Sequence, residues 1–208
     1  MIDYIQNNPE KILMLFKDHL LISFFSLLIA TIIGVSLGIL IVKYDKLKKY
    51  VISIFNILRI IPSLAILILL IPVVGTGFKP ALIALVLLGV PPILMNTVSG
   101  LDGVLQFMIE TAYACGMSEF QVWVKVRIPL ALPIIFTGIK TALIEIIASA
   151  TLAARIGGGG LGEIIFTGLG LYRLDLLLLG GLSVAFLSLS ANLLFILFDK
   201  LFFAYKDV

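Results

Sequence analysis

Glu145 interrupts the apolar run GIKTALIEIIASATLA and is the side chain best placed to do chemistry. It lies about fourteen residues into its apolar run, roughly 21 Å along a helix at 1.5 Å per residue, hence near the middle of a bilayer. A carboxylate there costs about 2.5–3.5 kcal/mol unless it is paired or hydrated. It therefore either faces a pathway for a cation or zwitterion, or is neutralised by a proton or a hydrogen bond from another helix. Two backbone features suit a pathway as well. Pro62, followed by Ser63, breaks a second apolar run, and broken helices line substrate paths in transporters. Gly157, Gly158, Gly159 and Gly160 make a tight turn, either at the mouth of a path or on a plain surface. Catalytic groupings are missing by comparison. A single histidine, His19, and a single cysteine, Cys115, allow no nucleophile–base pair, no metal cluster and no intrachain disulfide. Gly157, Gly159 and Gly162 fit G-x-G-x-x-G, but a dinucleotide site needs a preceding strand and a βαβ unit, and neither is predicted. No stretch fits the phosphate-binding pattern G-x-x-x-x-G-K-S/T. The chain is expected to hold no catalytic residue, metal or nucleotide of its own.

The elements that must position these residues are membrane helices. Apolar and aromatic residues make up 61% of the chain and charged residues 13%, about half the roughly 25% of a soluble domain. Mean hydropathy is +1.21. A soluble globule of this composition would expose large apolar patches, so lipid is the solvent for most of the chain. Five runs approach the roughly 20 apolar residues that span a bilayer, at about 20–42, 51–74, 80–98, 131–154 and 174–198. They are solid runs without alternation, which excludes a barrel. The predicted fold is an all-α polytopic membrane protein, one unit over residues 1–208. Ser26, Ala30, Gly34 and Gly38 form a strip of small residues on the first span, read as packing within the subunit in preference to a dimer contact.

Lys and Arg set the orientation, because cytoplasmic loops carry their excess. Lys43, Lys46, Lys48, Lys49, Lys125, Arg127, Lys200 and Lys206 fall on one side, with Arg59 and Lys140 near it. Lys11, Lys17, Lys79, Arg155 and Arg173 fall on the other. The N-terminus is then outside and the C-terminus cytoplasmic, with His19 on the outer surface. The net charge of +3 reports topology, and no nucleic-acid partner is expected.

This orientation puts residues 99–130 in the cytoplasm, as a helix, a turn at Gly116 and a second helix. Glu110, Thr111 and Ala112 are followed after three residues by Gly116, and after nine more by Val126, Arg127, Ile128 and Pro129. This resembles the EAA loop of binding-protein-dependent ABC importer permeases, with Thr111, Val126 and Ile128 as conservative departures. The resemblance implies a coupling helix gripped by a separate ATPase subunit that holds the ATP and magnesium. Small Ala112 and Ala114 would seat the helix in a groove on that partner, Gly116 would turn the chain, and Pro129 would end the second short helix. Trp123 and Tyr113 are read as headgroup anchors, Tyr113 alternatively as an ATPase contact.

Stretches IPSLAILILLIP, PALIALVLLGVPPILMNT and ATLAARIGGGGLGEIIFTGL are similar to permeases for glycine betaine, carnitine and choline. That similarity implies an importer subunit in the bacterial inner membrane, paired with an identical or homologous second permease. It also implies an extracellular or periplasmic solute-binding protein, which would carry the aromatic box for a quaternary ammonium group. A permease for methionine or another amino acid is the alternative, and a passive channel a more distant one.

Overall fold

The first span and the amphipathic segment ahead of it form one helix. In the computed structural model, which describes residues 2–202, Pro9 opens α2 (Pro9–Val42) after a short α1 (Ile2–Asn7). Proline is tolerated at a helix start because its missing N–H has no partner there anyway. The run thus begins well before residue 20, and at about 1.5 Å per residue its 34 residues exceed a bilayer's thickness. The remaining helices are α3 (Asp45–Leu58), α4 (Ser63–Val74), α5 (Phe78–Asp102), α6 (Gln106–Ala114) and α7 (Glu119–Val122). After a π turn at Trp123–Arg127 come α8 (Ile128–Ala153), a 3₁₀ turn (Ala154–Ile156), α9 (Gly162–Gly170) and α10 (Leu174–Phe202). No strand occurs among the described residues.

Four helices, α2, α5, α10 and the course containing α8, are long and apolar enough to cross a membrane, and a fifth span exists if α3 and α4 are taken together. The predicted span at 51–74 is therefore not one straight helix. It breaks at residues 59–62 and bends by 95°. Pro62 has extended backbone (ψ 138°) and caps α4, where its ring forbids the continuing α3 hydrogen bond.

Helix α5 is the axis of the bundle, packed between α2 and α8. Small residues let the backbones meet. A Cβ added to Gly38 would stand 2.6 Å from Thr97 Cγ2, and one on Gly34 would stand 2.9 Å from Ile93 Cβ. Ser26, Ala30, Gly34 and Gly38 are all buried, so the small-residue strip packs inside the subunit as the sequence predicts. Helix α10 lies outside, against α8 and α9, with Leu182, Phe186, Leu189 and Leu193 exposed.

The two ends of the bundle differ in charge. At one end Lys48 Nζ lies 3.0 Å from Asp102 Oδ2 and Lys43 Nζ lies 4.0 Å from Glu119 Oε1, which joins the lysine-rich first turn to the loop after α5. The other end holds the glycine turn, where Gly77 N–H donates to Ile156 O at 2.6 Å. His19 is also here, and it is fully buried instead of lying on the surface as predicted. The longer α2 carries it between α8 and the start of α9. Its ring lies 3.0 Å (Nε2) from Ile147 O, and its Nδ1 accepts from Leu161 N–H at 3.3 Å. Both bonds form together when Nε2 carries the proton. Lys206, counted above for orientation, lies outside the described residues.

Candidate functional site

The loop between α5 and α8 is built by local rules. Helix α6 ends in a Schellman turn: Gly116 takes φ +81°, its N–H donates to Tyr113 O at 2.9 Å, and Met117 N–H donates to Ala112 O at 3.1 Å. A capping box starts α7 two residues later, with Ser118 Oγ and Gln121 Oε1 each accepting the other residue's backbone N–H. Ile109, Ala112 and Val122 pack against each other with Met117 beside them, so the two short helices share a small core.

The residues of the motif divide between that core and the surface. Phe107, Glu110, Thr111 and Ala114 share the exposed face of α6, at i, i+3, i+4 and i+7. Glu110 accepts a hydrogen bond from Gln106 Nε2 at 3.2 Å. The Thr111 hydroxyl donates back to Phe107 O at 2.8 Å, which satisfies it within the helix. Ala112 is buried against α7 and so is not offered to a partner; its small size serves the contact between the two helices. Pro129 also departs from expectation. It does not end a helix, because Glu119–Ile156 runs as one helical course. A proline ring clashes with the carbonyl four residues back. The π turn ahead of it, where Ile128 N–H reaches Trp123 O, widens the helix at that point. Val126, Ile128 and Pro129 are half-buried along this junction.

Trp123 lies beside two cations. Lys43 Nζ lies 5.1 Å from its ring centroid and the Arg127 guanidinium 4.8 Å, so two cations from different elements hold the indole. The ring borders a groove of about 570 Å³ with Phe120, Val124 and Ile39.

A second cavity, of about 370 Å³, opens at the α3–α4 break. It brings together Pro62, Ser63 and Glu145, three of the predicted pathway residues, with Arg59, Pro91 and Ser149. Arg59 Nη2 lies 3.6 Å from Glu145 Oε1, with both side chains somewhat under half exposed. That distance keeps the charges attracted but is too long for a hydrogen bond. The Arg59 head group therefore lies beside Glu145, which stands on a different helix. The signal was present in the sequence: a cation interrupting one span and an acid interrupting another tend to find each other in a membrane.

Gly157–Gly160 do not line this cavity. Gly157, Gly159 and Gly160 take positive φ, and Gly160 leaves too little room for a Cβ beside His19 Nδ1, at 2.9 Å. With Gly158 and Gly160 buried, the turn is a packed knot against α2 and is neither a plain surface loop nor part of the charged cavity.

The family described as binding-protein-dependent transport system inner membrane component matches residues 26–204. The chain belongs to that family. This permease is 40% identical over 189 residues to the carnitine transport permease protein OpuCB of Listeria monocytogenes, covering 91% of this chain and 87% of that protein. The glycine betaine/carnitine/choline transport system permease protein OpuCB of Bacillus subtilis gives the same identity and coverage. An inward-facing structure of the MetNI methionine ABC transporter superposes with a TM-score of 0.75 at 24% identity, covering 90% of this permease and 97% of that chain. At that identity the likeness concerns the fold. The permease is a multi-pass membrane component of an ABC transport system, which implies ATPase and substrate-binding partners.

Proposed function

We propose that this chain is the membrane subunit of an ABC importer for a compatible solute: glycine betaine, carnitine or choline. The observation that carries the reading is 40% identity across nine-tenths of the chain to permeases named for those solutes in two organisms. ATP and its magnesium would bind a separate ATPase subunit, which grips the exposed face of α6 bearing Glu110 and Thr111. The Lys and Arg excess at the end holding the first turn and the loop supports a cytoplasmic loop, an external N-terminus and a cytoplasmic C-terminus. Closure of the ATPase would move α6 and α7, and the unbroken course through the π turn into α8 would carry that motion to Glu145. A second permease, identical or homologous, would complete the pathway, and a solute-binding protein outside the membrane would supply most of the selectivity.

Uptake of radiolabelled betaine, carnitine, choline and methionine, in cells with and without this chain, tests the reading. Loss of quaternary ammonium uptake with methionine uptake intact is the expected result. Loss of methionine uptake alone would reassign the substrate.

A further inference from the structure

The cavity at the α3–α4 break has a composition that none of the relatives' names explains. It offers one guanidinium and one carboxylate within 3.6 Å, amid Leu87, Leu88 and Pro91 and the hydroxyl-bearing Ser63 and Ser149. Its volume of about 370 Å³ is at the small end of the range that holds small molecules. We propose that Arg59 and Glu145 form a transit site for a zwitterion, Arg59 taking the carboxylate and Glu145 the quaternary ammonium. The inference rests on the compatible-solute reading and specifies where, within this chain, such a solute is recognised.

Three physical points support it. First, the pair is loose. At 3.6 Å it makes no hydrogen bond, so a ligand carrying both charges can part it and replace one weak contact by two. Second, the two ends of the site suit the two ends of the ligand. A guanidinium grips a carboxylate through paired N–H donors. A quaternary ammonium has no N–H to donate, so it needs only a nearby negative charge and apolar walls for its methyl groups, which Glu145, Leu87 and Leu88 provide. Third, among the described residues no aromatic side chain lines the cavity, so these residues form no cation–π cage to hold such a cation tightly. A site on a translocation path must release what it binds, and a neutral pair without a cage favours passage over retention. For choline, a cation without a carboxylate, Arg59 is a like charge beside the path and contributes only repulsion.

The test is substrate preference at equal membrane abundance, in cells carrying the native ATPase and binding protein. Because the binding protein is unchanged across variants, a change in the ratio of two solutes belongs to the permease. Arg59→Gln is expected to lower betaine or carnitine uptake about tenfold and to leave choline uptake equal or raised, while Glu145→Gln lowers both about tenfold. Arg59→Lys, which keeps the charge, should recover most of the zwitterion uptake. An equal fall for betaine and choline in Arg59→Gln would make the pair merely structural and overturn the proposal, as would equal losses in Arg59→Lys and Arg59→Gln. A wild-type protein that carries choline alone overturns it too, with the importer reading intact. A wild type that carries none of these solutes fails the importer reading first, and that failure is visible before any variant is made.

Discussion

The loop after α5 and the elbow between α3 and α4 are both sharp bends in an apolar chain, and they are made in opposite ways. The loop turns on Gly116 and is closed by bonds reaching three to five residues: Met117 to Ala112, Gly116 to Tyr113, Ser118 with Gln121. The elbow turns on Pro62, which prevents a helix from continuing. It also has short bonds, Ile60 N–H to Ile57 O at 3.0 Å and Ile61 N–H to Leu58 O at 3.2 Å, but they end α3 ahead of Pro62 and do not tie α3 to α4. What occupies the resulting gap comes from far along the chain, in Glu145, Ser149 and Pro91. A bend closed by its neighbours holds its shape while the whole piece is pushed, as a handle must. A bend filled by other helices changes shape when those helices move, as a path must. The lesson is that the same break in an apolar pattern has two mechanical meanings, and what separates them is whether a hydrogen bond passes over the turning residue, as Met117 N–H to Ala112 O does at Gly116.

Damage to long-range packing should therefore be large and felt throughout, and damage to the loop small and confined. The largest effect is expected from Gly38→Leu. Even a Cβ there would come within 2.6 Å of Thr97, so a leucine must force α2 away from α5, at about 3 kcal/mol. Thermal unfolding in detergent should show a much lowered midpoint. His19→Ala comes next. It leaves Leu161 N–H without its buried acceptor and opens a hole where α2, α8 and α9 meet, worth about 2 kcal/mol by the same measurement. Gly116→Ala should cost about 1 kcal/mol, since the site has free space and the penalty is the left-handed backbone alone. That loss should appear as faster hydrogen exchange in α6 and weaker co-purification of the ATPase, with the unfolding midpoint of the bundle unmoved. If Gly116→Ala melts the bundle as Gly38→Leu does, the contrast between the two bends is wrong.

The same contrast explains how far the sequence could be read. The helical membrane class, the packing role of the Ser26–Gly38 strip and the turn at Gly116 are legible because each depends on composition or on spacing within a few residues. The break at Pro62 is legible as a break, but the partner of Arg59 stands in another helix, beyond the reach of local spacing. His19 reads as a surface group because the acids and amides of residues 3–10 mask the start of a helix that Pro9 opens. The course through Pro129 reads as a stop because a proline signals one. A π turn that absorbs the ring has no pattern in residue types.

The smallest effect concerns the capping box of α7, and it also divides two similar bonds. Removing an N-cap hydroxyl usually costs about 0.5–2 kcal/mol. Here the hydroxyl bond is the weaker half: Gln121 N–H reaches Ser118 Oγ at 3.4 Å, whereas Ser118 N–H reaches Gln121 Oε1 at 2.9 Å. Ser118→Ala should therefore fall at the low end of that range, about 0.5 kcal/mol, and Gln121→Ala should cost at least as much, although it is not the cap residue. Because α7 runs on through the π turn into α8, neither change should loosen Ile128 or beyond. Hydrogen exchange resolved to the amides of residues 118–122 gives the order directly. Ser118→Ala costing clearly more than Gln121→Ala would mean that the hydroxyl and not the carboxamide closes the start of α7. Loosening that spread past Pro129 would mean that the loop is not the self-contained piece its short-range bonds describe.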